Sequence, residues 1–177
     1  MINYFVSNTP MLCRIAPFYF VVALFTFTLI KSTKIILAMK VNPYLNFDGK
    51  AEEAFRFYQS VFGGELYLMK MNEAPGTENL TDEEKNLAMH VSLTIGNGQH
   101  LMASDCIKSM GQVLNMGNNN YISVAPDSRE ETTRIFNALS AGGTVEMPLD
   151  DMFWGDYFAS FKDKYGVCWM LNYNPKN

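Results

Sequence analysis

Two stretches of the chain carry apolar residues at helical spacing, and short apolar runs flank both. In the first, Ala54, Phe57, Tyr58, Val61 and Phe62 recur every three or four residues; in the second, Ile135, Phe136 and Leu139 do. Such spacing gathers them on one face of an amphipathic helix. Acidic pairs, Glu52-Glu53 and Glu130-Glu131, open both stretches, where the helix dipole favours negative charge. Gly63-Gly64 and Gly142-Gly143 close them, and glycine supplies the left-handed backbone that a helix stop commonly needs.

The flanks match as well. Val41–Phe47 reads as a strand ending in the turn pair Asp48-Gly49, and Tyr121–Ala125 as a strand ending near Pro126-Asp127. After the first helix come strands at Glu65–Met71, Leu87–Ile95 and His100–Cys106, the last two joined by Gly96-Asn97-Gly98, a hairpin signal. After the second come Thr144–Met147, Tyr157–Lys162 and Val167–Tyr173, the last two joined by Asp163-Lys164-Tyr165-Gly166. Both halves therefore read β-α-β-β-β, an internal repeat in which Glu-Glu, Arg, an apolar-aromatic pair and Gly-Gly recur, with one residue inserted before the second pair of glycines. The predicted fold is α+β: two βαβββ modules forming a curved mixed sheet, with helices on the convex side and a concave cavity on the other. Module one covers 40–107, a Gly- and Asn-rich linker 108–119, and module two 120–174. In the polar loop 72–86, Thr81-Asp82-Glu83-Glu84 forms a capping box and predicts a short helix.

Composition narrows the function classes. A chain of 177 residues with 48% hydrophobic and 18% charged residues is long enough for one domain with a sizeable core and too apolar for a disordered one. The net charge of -4 and the absence of any basic run longer than two residues exclude nucleic acid as the main partner. The three cysteines, Cys13, Cys106 and Cys168, have no C-x-x-C spacing. They read as buried thiols of a reducing compartment, which points to the cytoplasm, rather than as a disulfide framework or zinc site.

The first 38 residues stand apart. An uncharged run, Ile15–Ile30, follows Arg14 and precedes Lys31 and Lys34. It falls short of the roughly 20 residues a membrane span wants. Three readings stay open: translation starting at Met39, directly before the first strand; a membrane anchor or signal segment through 15–30, which has no small-x-small cleavage site; and a genuine extra element. An anchor would make the protein membrane-tethered.

Several segments resemble PhnB-like proteins of the vicinal-oxygen-chelate (glyoxalase/bleomycin-resistance/dioxygenase) superfamily. They are Asn42-Pro43-Tyr44-Leu45 with Phe47-Asp48-Gly49, Glu53-Ala54-Phe55 through Phe62-Gly63-Gly64, Met89-His90, Met102-Ala103-Ser104-Asp105, Phe153-Trp154-Gly155 and Gly166-Val167-Cys168-Trp169-Met170. The resemblance spans almost all of 40–173. It implies the glyoxalase/bleomycin-resistance fold and a homodimer. Some members carry the inherited label 3-demethylubiquinone-9 3-methyltransferase. Methyl transfer from S-adenosylmethionine typically needs a Gly-rich turn between a strand and a helix, whereas the chain's one G-x-G joins two strands.

Metal-dependent relatives hold a divalent ion through His, Glu or Gln on strands one, four, five and eight. The resemblance carries those positions onto Asn42 or Pro43, Met102, Tyr121 and Met170, and a thioether is a poor ligand for a hard or borderline ion. Neither a metal nor another cofactor is expected. Alternation in Leu87–Ile95 sends Leu87, Met89, Val91, Leu93 and Ile95 under the helices and turns Ala88, His90, Ser92 and Thr94 to the cavity. His90 is thus the candidate for proton transfer or ligand binding. Asp105, at the end of the next strand, is either its carboxylate partner or a turn former. Trp154 and Trp169 are candidate pocket walls or packing residues, and Tyr44, Ser92, Ser104 and Tyr121 complete the candidate ligand-binding set. His100, beside the hairpin turn, reads as solvent-exposed. The functional expectation is a protein that binds an unknown small molecule in its cavity without metal. The alternatives are a lyase- or isomerase-like enzyme using His90, and a structural dimer with a vestigial cavity.

Overall fold

The computed structural model describes residues 40–176, so the readings of the first 38 residues lie outside it. Module one consists of β1 (Tyr44–Phe47), α1 (Ala51–Phe62), β2 (Glu65–Lys70), the short helix α2 (Asp82–Lys85), β3 (Ala88–Ile95) and β4 (Gln99–Asp105). Module two consists of β5 (Ile122–Val124), α3 (Arg129–Ser140), β6 (Thr144–Asp151), β7 (Tyr157–Lys162) and β8 (Cys168–Tyr173). The expected curved sheet is two four-stranded sheets of equivalent order, β1-β4-β3-β2 and β5-β8-β7-β6. In each, the first strand runs parallel to the last and the other pairings are antiparallel.

The repeated glycine pairs do two separate things. Gly63 and Gly142 take positive φ, 71° and 76°, and turn the chain out of α1 and α3. The next glycine in each copy lets the backbone lie against a strand: a Cβ on Gly64 would sit 1.9 Å from the Thr94 carbonyl oxygen, and one on Gly143 2.1 Å from that of Lys162. The capping box forms as expected, with Thr81 accepting from Glu84 N and Glu84 accepting from Thr81 N. Strand β6, expected to stop at Met147, runs on through Pro148 to Asp151. It lies at the edge of its sheet and its register shifts there, the setting in which a strand tolerates proline.

One core serves both modules. Phe55, Val91, Leu93, Leu139, Phe161 and Leu171 are buried together, and the α1 rings Tyr58 and Phe62 pack on Trp169 of β8 at 5.3 and 5.7 Å. Asp163 ties this junction. Its Oδ2 accepts from Tyr58 Oη (2.7 Å) and Trp169 Nε1 (2.8 Å), and its Oδ1 from the backbone N–H of Tyr165 and Val167. Burial, and then the charge of Asp163, push the Tyr58 phenol far above its ordinary value, so it remains a donor.

Candidate functional site

Burial under α1 decides which side of the first sheet is free. Val91 and Leu93 of β3, Leu101 and Ala103 of β4 and Phe47 of β1 are buried, so the residues alternating with them form the opposite, concave face. The expected alternation of β3 needs one correction. Met69 pairs with His90 and Lys70 with Ala88, leaving Met89 as an extra residue in a bulge. Ala88 is therefore buried in the core and Met89 exposed, while from His90 onward the alternation runs as expected.

Across this face, register partners form a transverse row: Tyr67 opposite Ser92, Ser92 opposite Met102, and Met102 opposite Tyr44. The tyrosines stand on the two outer strands and are 57% and 48% exposed; Ser92 and Met102 are half-buried between them. Both rings reach His90. Tyr44 stacks on it at 5.8 Å and 27°, with its hydroxyl 3.3 Å from Nδ1, and Tyr67 lies at 6.3 Å. His100 shares this face, its Nδ1 3.4 Å from both Ser92 Oγ and Thr94 Oγ1, so it is half-buried rather than solvent-exposed. Ser104 is also here, donating to Asn46 at 3.4 Å. A cleft of about 230 Å³ continues from Tyr44 and Asn46 beneath linker residues 114–117 to Cys168.

Two candidates leave the site. Asp105 is 4% exposed on the helix side of β4. Its Oδ1 accepts from Ala51 N at the start of α1 (3.0 Å) and its Oδ2 from Ala88 N (2.9 Å). It caps the helix from a distant strand, where a negative charge also suits the helix dipole, and is not a partner of His90. Trp169 is 1% exposed and belongs to the core with Asp163. Tyr121 and Trp154 belong to module two. Tyr121 Oη donates to Glu146 Oε2 at 2.6 Å, a bond that pushes its phenol up to about 12. Trp154, in the β6–β7 turn beside exposed Phe153, packs edge-on against Phe158. Sequence reasoning missed Tyr67 and underread His100. The signal was present: Leu66 and Leu68 alternate with Tyr67, and Leu101 and Ala103 with His100.

The same register gives a test for a divalent ion. The register puts Tyr44 beside Met102 in place of the expected Asn42 or Pro43, and Ser123 beside Met170 in place of the expected Tyr121, so these strand positions offer phenol, hydroxyl and two thioethers. Among the described residues no three His, Cys, Asp or Glu side chains gather. These donors do not fit a hard or borderline divalent ion.

A family model described as 3-demethylubiquinone-9 3-methyltransferase matches residues 39–172, both modules and the linker. The chain belongs to this family. Protein YjdN of Escherichia coli K12 is 32% identical over 145 residues, covering 76% of this chain and 95% of its own. The structure of protein PA1353 from Pseudomonas aeruginosa is 36% identical with a TM-score of 0.70, covering 77% of this chain and 98% of its own. A putative family member from Bacillus cereus, a PhnB protein, is 27% identical with a TM-score of 0.61, covering 76% and 99%. At 11% identity and a TM-score of 0.56, a glyoxylase/bleomycin resistance protein/dioxygenase domain from Frankia, with 80% of this chain and 95% of its own covered, shares the fold alone. Membership in the family does not itself establish methyl transfer. The Gly96-Asn97-Gly98 segment is the β3–β4 hairpin turn, with positive φ at both glycines, and not a strand-to-helix turn.

Proposed function

We infer that this family member binds a small organic molecule on the concave face of module one, as a homodimer and without a family-type metal ion. The observation that carries the reading is the Tyr44–His90–Tyr67 cluster. Two large rings remain about half exposed on a face whose neighbours supply hydroxyls and imidazoles. Aromatic walls with a few convergent polar groups are the usual make-up of a ligand site. The face is open in a single chain. Cys106 and Cys168 are free thiols, in keeping with a cytoplasmic setting.

One observation favours a second reading, a lyase- or isomerase-like enzyme. The 3.3 Å approach of Tyr44 Oη to His90 Nδ1 would orient the imidazole for proton transfer.

A thermal-shift screen of small organic molecules with metal analysis tests the proposal. The expected result is ligand stabilisation that persists in EDTA and is lost in His90→Ala, with no stoichiometric nickel, zinc, manganese or iron in tag-free protein. Binding to the folded state raises the melting temperature by mass action, so the assay responds to a real site. One ion per chain, abolished by His90→Ala, would overturn the metal-free reading. A strictly monomeric protein in light scattering would overturn the dimer.

A further inference from the structure

The same row of side chains bears on the ligand's chemical class, provided that the functional reading above holds. The internal repeat provides a control. Module two has its own transverse row, Met147 opposite Ser160, Ser160 opposite Met170, and Met170 opposite Ser123. Ser-Met is thus the floor in both copies, while the walls differ: Tyr67 and Tyr44 in one, Met147 and Ser123 in the other. The residue two before the floor serine is His90 in module one and Phe158 in module two. Aromatic walls with an imidazole are therefore particular to the first face and not a by-product of the fold.

The walls select a flat, polarisable ligand. Tyr44 and Tyr67 converge on one ring, that of His90, and each leaves about half of its own surface free. A planar aromatic molecule gains face or edge contact with both, over the thioether of Met102, whereas a saturated ring matches neither geometry. The polar groups select the sign of charge. In the tautomer in which Tyr44 O–H donates to His90 Nδ1, 3.3 Å away, the imidazole proton sits on Nε2, and that nitrogen asks for an acceptor. The Ser92 hydroxyl can donate as well, whereas that of Ser104 already donates to Asn46. The acid among the paired residues of this face is Glu65, opposite Thr94 and one row beyond Tyr67; Lys70 is turned to Glu52 on the helix side. No carboxylate stands in the row, so a cation would meet only the tyrosine faces, whereas an anionic oxygen can accept from the imidazole N–H and the Ser92 hydroxyl.

We propose that the Tyr67–Ser92–Met102–Tyr44 trough binds a planar aromatic molecule carrying an anionic oxygen, with the ring between the tyrosines and the oxygen on His90.

Calorimetric titration of the full chain with benzoate, cyclohexanecarboxylate and benzyltrimethylammonium tests this. Benzoate should bind at roughly millimolar Kd or tighter, and the saturated acid and the ammonium each at least about tenfold more weakly. Tyr67→Leu and Tyr44→Leu, at exposed positions that do not threaten folding, should each weaken benzoate about tenfold, and His90→Gln should abolish its advantage over neutral benzamide. Val113→Ala, on the linker surface, should change nothing. Equal binding of the saturated acid, stronger binding of the ammonium, or indifference to Tyr67→Leu would overturn the proposal. So would no binding of any probe. In that case, a thermal-shift hit of another class that is lost in Tyr67→Leu would leave the functional reading standing, and no hit at all would end both.

Discussion

In module one Ser92 and Met102 lie between two tyrosines; in module two Ser160 and Met170 lie between Met147 and Ser123. The floor is common and the rim is not. Ser160 is also buried where Ser92 is half-buried, and Trp154 closes on Phe158 at 5.8 Å near that end of the second sheet. The helix sides differ in a parallel way. Each module keeps a buried aspartate near the end of a strand, but Asp105 holds two backbone N–H groups within module one, whereas Asp163 gathers four donors, one of them from the other module. Duplicated modules keep what every copy needs to fold. What differs between them marks where one copy has specialised. Under the proposed function, the face of module one is the copy specialised for ligand recognition, while the β7–β8 turn locks the two halves together.

The sharpest way to break this comparison is to remove the aspartates. Asp163→Ala leaves Tyr58 Oη, Trp169 Nε1 and two backbone N–H groups without their acceptor, and should cost about 3–5 kcal/mol in chemical denaturation. Asp105→Ala strands only two N–H groups and should cost less, about 2–3 kcal/mol. Equal losses would mean that Asp163 does not join the modules.

The glycine pairs give a graded test. Gly64→Ala forces a Cβ to within 1.9 Å of the Thr94 carbonyl oxygen and should destabilise by about 3 kcal/mol or more. Gly63→Ala meets no atom within 4 Å of its Cβ, and its cost, about 1–3 kcal/mol, comes only from a positive-φ backbone (φ 71°, ψ -154°) that essentially glycine alone adopts. Gly143→Ala and Gly142→Ala should repeat that order in module two.

The smallest effect is a titration. Tyr121, at about 12, should ionise later than an ordinary tyrosine at 10.0, and Glu146→Gln should bring it back toward that value in ultraviolet difference spectra. Because the folded value lies above the ordinary one, the Tyr121–Glu146 bond contributes fully below pH 10.0 and fades as pH rises through about 12.

The repeat, the helices and most strands were legible because apolar spacing and glycine pairs report local structure directly. So was the outward turn of His90, which follows from alternation alone. The β3 bulge was not: an extra residue at Met89 changes no hydrophobicity pattern, since Ala88 and Met89 are both apolar. The role of Asp105 was hidden for another reason. Its partners, Ala51 and Ala88, lie far from it along the chain, and both offer backbone N–H groups that no side-chain pattern reveals. Trp169 was ambiguous because an aromatic residue serves core and pocket equally well, and only the Asp163 bond decides between them. Tyr67 could have been read from its alternation with Leu66 and Leu68, but its meeting with Tyr44 at His90 depends on strand order.

The central claim is that ligand recognition belongs to one of two like faces. Amide chemical-shift mapping during titration with benzoate, or with any hit of the thermal-shift screen, tests it most directly. The account predicts shifts centred on Tyr44, Tyr67, His90, Ser92 and Met102, with the second row quiet. Shifts centred on Ser123, Met147, Ser160 and Met170, with the first row quiet, would contradict it.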